Sequence, residues 1–339
     1  QPQIGGGLPE NPETKRRLKN LMDVTGLTAE LACASAPEAS EEALRRIHPA
    51  SYLKKFRELS DADGGEVGLR TPFGKGGFEI AALSAGLATA AVEAVLSGAQ
   101  DNAYALSRPP GHHCLPDYPM GFCLLANIPI AIEAARASRP DLRVAVVDWD
   151  VHHGNGTEAI YYEDPTVLTI SIHQERNFPT GKGGVEDKGA GAGQGFNVNI
   201  PLASGGGEEA YLRAFDRIVE PKLRAFAPDL IIVACGYDAS GVDPLGRMIA
   251  GSATFGAMTE RVMALAADLC GGRLVVVHEG GYSELHVPFC GHEVIRLLAA
   301  SAITAPDPLG ERLLSQQPRG GAAAFHCAWV DDIAAAHGL

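Results

Sequence analysis

Nine consecutive residues, Asp148-Trp149-Asp150-Val151-His152-His153-Gly154-Asn155-Gly156, crowd carboxylates and imidazoles directly behind an apolar run, Arg143-Val144-Ala145-Val146-Val147. In extended chain alternate side chains share a face. Asp148, Asp150 and His152 are therefore expected on one side and His153 on the other, where a structural role is expected. Carboxylate and imidazole together suit zinc and similar divalent ions. Three ionisable groups at the mouth of an apolar strand are costly unless a cation sits between them. The simplest such cation is a metal ion.

Other polar groups fall at equivalent places. His112 and His113 follow the run Ala103–Ser107 through Arg108-Pro109-Pro110-Gly111. Asp238 follows Leu230–Cys235, within Gly236-Tyr237-Asp238-Ala239-Ser240-Gly241-Val242-Asp243-Pro244. Tyr282 follows Leu274–His278, in Glu279-Gly280-Gly281-Tyr282. Taken singly, each has an ordinary structural reading: a loop histidine, an Asx turn at Asp238, an exposed aromatic at Tyr282. Four strand ends carrying polar groups at one edge would need four independent accidents.

The elements that must position these residues alternate. Candidate strands are Ala103–Ser107, Arg143–Asp148, Val167–Ile172, Asn197–Pro201, Leu230–Cys235 and Leu274–His278. Candidate helices are Phe78–Ser97, Ile128–Ala137, Thr157–Tyr162, Glu208–Phe226 and Ala253–Cys270. This alternation predicts an α/β, three-layer αβα fold with a central, mostly parallel sheet. In such sheets sites are built beyond the carboxyl ends of the strands. The first sixty-five or so residues read as polar and helical, with Asn11 or Thr14 as possible caps near Pro12. The Gly-rich stretch Thr180–Gly195 is the longest irregular segment. With no internal repeat or low-complexity linker, residues 1–339 read as one domain, with the motifs between about 73 and 298.

Composition narrows the function. Lys+Arg 28 against Asp+Glu 41 gives a net charge of −13, which disfavours direct binding to nucleic acid or to an anionic membrane. No apolar run of about 18 residues is evident, so no membrane-spanning helix is expected. Seven cysteines, an odd number without a Cys-x-x-Cys pair, suggest reduced thiols and a cytoplasmic setting.

Between about Phe73 and Leu298 the sequence resembles the zinc-dependent histone deacetylases and their bacterial histone-deacetylase-like amidohydrolase relatives, in the arginase/deacetylase superfamily. Arg108–His113, Gly121-Phe122-Cys123, Asp148–Gly156, Ser171-Ile172-His173, Gly236-Tyr237-Asp238 and Glu279–Tyr282 occur in the family's order. The Arg-Pro-Pro-Gly form and Asn155 are similar to class II members. The opening Leu8-Pro9-Glu10 is similar to a degenerate form of the family's His-Pro-Glu segment.

The resemblance implies one zinc ion held by Asp150, His152 and Asp238. It makes His113 the general base and acid, His112 an electrostatic partner, and Tyr282 the oxyanion donor. Asp148 and Asn155 would orient the two histidines. An acyl-lysine-like substrate would thread between Phe122 and Phe178, with Gly121, Leu245 and Gly280 contributing to the pocket. Asp148, Ser171 and Ile172, with Asp150 and His152, resemble a potassium site. A second potassium site is expected near Tyr161, Asp164, Val167 and Phe196. Relatives suggest a homodimer or homotetramer. Three rival readings differ in specific residues. A two-manganese ureohydrolase needs a further carboxylate where Ser240 stands. An acetylpolyamine deacetylase suits the negative charge. A non-catalytic acyl-lysine reader fits poorly with Tyr282 and both histidines present.

Overall fold

The computed structural model describes residues 8–339. The first seven residues of the polar N-terminal part therefore lie outside the described residues. Six strands form the central sheet: β3 (Asn102–Ala105), β4 (Val144–Asp148), β5 (Val167–Gln174), β6 (Asn197–Leu202), β7 (Leu230–Cys235) and β8 (Leu274–His278). Their order is β3-β8-β7-β4-β5-β6, and every neighbouring pair is parallel. A short antiparallel pair, β1 (Gly64–Glu66) and β2 (Pro72–Gly74), stands apart from this sheet.

Strands buried on both faces need near-continuous apolar runs; β7 is apolar throughout, and β4 and β8 are apolar up to their last residues, Asp148 and His278. Alternate residues serve opposite layers. Ala145, Val147, Ile231, Val233 and Val276 join one core with α9 (Ser252–Cys270), α10 (Val287–Leu298) and α12 (Gly321–Ala336). Val144, Val146, Ile232, Val275 and Val277 join a second core with α4 (Gly77–Leu96) and α5 (Asn127–Arg136). The N-terminal helices α1 (Glu13–Thr25), α2 (Glu41–Ile47) and α3 (Ala50–Asp61) pack onto this frame.

Three expectations are corrected. Asn11 caps α1, its Oδ1 accepting the Glu13 N–H at 2.8 Å; Thr14 instead lies inside the helix, buried. The helix read as Glu208–Phe226 is interrupted. It runs as α7 (Glu208–Ala214), a π-helical turn at Phe215–Val219, and α8 (Glu220–Phe226). Pro221 has no N–H to give the carbonyl four residues back, so the helix widens there. A helix long and apolar enough to cross a membrane does exist: α4 has 20 residues and a mean hydropathy of 1.6. Its apolar surface is spent on α5 and the sheet, through Ala88, Ala91, Val92 and Val95. Beyond the candidate helices the chain also forms α10, α11 (Gly310–Gln316) and α12. The Ala-rich α12 lacks a clear polar face, yet it covers β6, where Trp329 Nε1 donates to Pro201 O at 2.8 Å.

Candidate metal centre and active site

The chain moves from β3 at one edge to β4 in the middle, outward through β5 and β6, and then back to β7 and β8 on the other side of β4. The direction of winding thus reverses between β4 and β7. Such a switch point opens a crevice at the carboxyl ends of its two strands. Asp150 and His152 follow β4 and Asp238 follows β7, so the crevice receives all three at once.

The segment after Asp148 is not extended, as the alternation argument assumed. It bends through carboxylate–amide turns: Asp148 Oδ1 accepts the Asp150 N–H at 3.0 Å, and Asp150 Oδ1 accepts the His152 N–H at 2.9 Å. The bend separates Asp148 from the other two. Asp150, His152 and Asp238 bring one ligand atom each within 4.8 Å of one another, all from buried residues. His152 Nδ1 lies 3.0 Å from Asp150 Oδ1 and 3.1 Å from Asp238 Oδ2. Ligands about 2.0–2.2 Å from a tetrahedral zinc stand roughly 3.3 Å apart, so the donor set fits that ion. Backbone amides hold the remaining oxygens, Gly280 N on Asp150 Oδ2 at 2.9 Å and Val151 N on Asp238 Oδ1 at 2.8 Å. Glycine is required around them. A Cβ on Gly236 would collide with Asp150, and one on Gly280 with both carboxylates.

Electrostatics point the same way. Burial opposes a charged His152, yet Asp238 and Asp150 outweigh it and raise its pKa to about 10. Burial and the neighbouring Asp150 push Asp238 up to about 6. Without a metal, a proton on His152 must supply the positive charge that the two carboxylates demand.

The adjacent histidines differ sharply. His112 Nδ1 donates to Asp148 Oδ2 at 2.9 Å. Burial disfavours its charge, but Asp150 and Asp148 raise its pKa well above the usual histidine value. His113 Nδ1 donates to Asn155 Oδ1 at 2.7 Å. Burial, then the positive His112 and His152, hold His113 well below the usual value. With its proton fixed on Nδ1 by Asn155, neutral His113 keeps a lone pair on Nε2. The next histidine, His153, is turned away to Glu158 Oε2 at 3.1 Å and packs against His173 with ring centroids 4.8 Å apart.

Aromatic rings line the approach. Phe178 meets His113 edge-on at 5.0 Å and His152 at 6.4 Å. Phe122 meets Tyr282 at 5.9 Å, and Tyr282 lies 6.4 Å from His152. Gly121 and Phe122 both have positive φ, 57° and 67°. A Cβ on Gly121 would strike His113 and Phe178, so only glycine lets the histidine and the wall approach. Leu245 O accepts Asn177 Nδ2 at 3.2 Å, tying Leu245 to the segment that carries Phe178. Gly280 gives its N–H to Asp150 and its carbonyl to the Tyr237 N–H at 3.1 Å.

The expected potassium ligands are also adjacent. Asp148 pairs with Ser171 across β4 and β5, next to Ile172. Near the second group, the Tyr161 and Phe196 carbonyls accept backbone N–H groups, while the Asp164 carboxylate is taken by Arg136 at 2.8 Å.

Glu279 was not singled out from the sequence. It is fully buried, and its Oε2 accepts the Gly111 and His112 N–H groups at 2.6 and 3.1 Å. Burial raises its pKa to about 7. Lys15, reaching from α1, donates to its carbonyl at 3.2 Å. The available signal was a carboxylate directly after β8, a fully buried strand that ends in His278. His112, Cys123 and Glu279 form a second cluster within 4.8 Å. Its members are committed elsewhere, His112 to Asp148, Glu279 to the two backbone amides, and Cys123 Sγ to the His113 N–H and the Gly121 carbonyl.

Comparison with known proteins shows what the chain as a whole is similar to. The histone deacetylase domain family matches residues 8–298. The chain is 57% identical over 339 residues to a histone deacetylase-like amidohydrolase of Pseudomonas aeruginosa, covering all of this chain and 89% of that protein. It is 37% identical over 308 residues to a probable deacetylase of Archaeoglobus fulgidus, covering 88% and 85% of the two chains. The crystal structure of the HDA15 HD domain superposes with a TM-score of 0.84 at 31% identity, over 98% of this chain and 92% of that one.

Proposed function

The chain belongs to the histone deacetylase family, and on that premise we propose that it is a zinc-dependent amidohydrolase removing acetyl or related short acyl groups from acyl-lysine-like amines. The observation that carries the reading is the pairing of two unlike histidines beside the Asp150–His152–Asp238 ligand set. Zinc bound there would supply Lewis acidity, polarising a carbonyl and acidifying water.

The chain's own groups do the rest. His113, neutral with Nε2 free of its proton, removes a proton from the attacking water and later returns it to the departing amine nitrogen. His112, kept cationic by Asp148 and Asp150, stabilises the negative charge that develops beside it. The Tyr282 hydroxyl donates to the oxygen that was the amide carbonyl. A single donor of this kind is worth on the order of 10²–10³ in rate. Phe122 and Phe178 exclude water from the aliphatic arm of the substrate, and Leu245 shapes the rim. Asp148, Ser171 and Ile172 would hold a potassium ion behind this centre.

A panel of acetyl-, trifluoroacetyl- and longer acyl-lysine peptides, assayed with and without chelator, tests the proposal. We expect turnover that chelator abolishes and zinc restores. Activity indifferent to chelator would refute it. Acetylated polyamines belong in the same panel, because the net charge of −13 suits a polycation. Faster turnover of those would make them the substrate class.

A further inference from the structure

Tyr282 sits in a turn outside any strand or helix, between β8 and α10. An oxyanion donor must be held to within a fraction of an ångström, so something has to fix that turn. The side chain that does so is Asp243. Its Oδ2 accepts the Tyr282 N–H at 2.7 Å and the Ser283 N–H at 3.2 Å. Its Oδ1 accepts the Leu245 N–H at 2.9 Å. Asp243 is buried and five residues beyond Asp238, on the same loop. One carboxylate therefore joins the loop that carries a metal-ligand candidate to the turn that carries the tyrosine.

We propose that Asp243 is a positioning residue for the reaction, setting the Tyr282 hydroxyl through the tyrosine's own backbone. The inference rests on the oxyanion role assigned to Tyr282 above. One carboxyl oxygen accepting two adjacent N–H groups fixes both backbone positions from a single atom. It also removes the cost of leaving those amides unpaired in a buried turn. Gly281, at φ 117°, lets the chain turn sharply into this grip, and a Cβ there would press on Tyr237 and Val287.

A second, separate fastening joins the same two segments. Ser240 Oγ lies 2.6 Å from His286 Nδ1, and His286 Nε2 lies 2.8 Å from Asp307 Oδ2, which also accepts Ser252 Oγ at 2.6 Å. Ser240 and His286 are almost wholly buried, so this serine–histidine–aspartate chain is closed to substrate and serves as a bolt. With it in place, losing the Asp243 grip loosens the tyrosine turn without separating the loops.

The test is a double-mutant cycle on the zinc-loaded protein with an acetyl-lysine peptide. Asp243→Asn should lower kcat about tenfold while KM changes by less than about threefold. In a Tyr282→Phe background the same substitution should change kcat by less than about twofold, since the hydroxyl it positions is gone. A loss that persists in the Tyr282→Phe background, or no loss in the native one, overturns the inference. If Tyr282→Phe itself leaves kcat unchanged, the oxyanion role falls instead, and the inference with it. Should Asp243→Asn fail to fold, Asp243→Glu keeps the carboxylate but displaces it by one methylene, and the same cycle applies.

Discussion

His112 and His113 are chain neighbours with ring centroids 4.0 Å apart, yet they hold opposite protonation states. The cause is the partner on each Nδ1: a charged carboxylate, Asp148, on one, and a neutral amide, Asn155, on the other. Two adjacent imidazoles cannot both be cationic in a buried site without strong repulsion. The residue with the charged partner takes the proton and lowers its neighbour further. This makes a direct prediction for Asn155→Asp. A carboxylate favours the imidazolium, so the His113 pKa rises. The proton-free base then disappears at higher pH as the solution is acidified. We expect the acid limb of the kcat/KM profile to move upward by roughly one pH unit or more. A profile that stays in place would argue against His113 as the base.

At the scale of elements, His48 fastens the helices α2 and α3 to the loop that carries His112 and His113. His48, at the end of α2, has Nδ1 2.7 Å from Pro116 O, while Nε2 accepts the Ala126 N–H at 3.1 Å. It thus pins the loop that follows His112–His113 and the start of α5. Accepting on one nitrogen and donating from the other requires the neutral ring. Burial pushes its pKa from 6.5 down to about 4, against a small upward pull from the Pro116 carbonyl. Between those values the unfolded chain binds a proton that the folded chain refuses. The stabilisation is complete above about pH 6.5 and is lost as pH falls toward 4, to an extent of up to roughly 3 kcal/mol. His48→Ala should destabilise the protein by roughly 2–3 kcal/mol near neutral pH, because both backbone partners lose their bonds. It should also flatten the pH dependence in that window relative to the native chain. Denaturant unfolding of both proteins at several pH values measures this, and parallel pH curves would exclude His48 as the source.

For the whole molecule, a metal ion bound at the candidate centre would tie the sheet halves together. Its candidate ligands come from β4 and β7, the two strands at which the winding reverses, so an ion there joins segments from both halves. Ligation requires His152 to give up the proton that its raised pKa retains near neutral pH. Zinc addition should therefore release about one proton per site, and the gain in stability should shrink as pH falls. At zinc about a thousandfold above Kd the gain approaches 4 kcal/mol, roughly 6 °C in Tm for a chain of this size. Thermal unfolding and an indicator-dye titration read both quantities. Zinc that shifts neither would mean that these three residues do not form the site.

The sequence by itself determined the layers and their chemistry. Short β-branched runs such as Leu230–Cys235 and Leu274–His278 read as strands buried on both faces, and both appear with those bounds. The spacing of Asp150, His152, Asp238 and Tyr282 against strand ends placed all four at one edge of the sheet, because parallel strands deliver their carboxyl ends there. Tertiary structure alone decided how Asp148 parts from the other two acids, since the separating bend depends on carboxylate–amide bonds that alternation does not encode. It alone decided the positions of Glu279, Asp243 and His48. Each acts through hydrogen bonds to backbone groups of residues distant in sequence or across a turn, and backbone groups carry no residue-specific signature. It also placed the Ala-rich helices α4 and α12, whose composition suits many environments and whose burial is fixed by what packs against them.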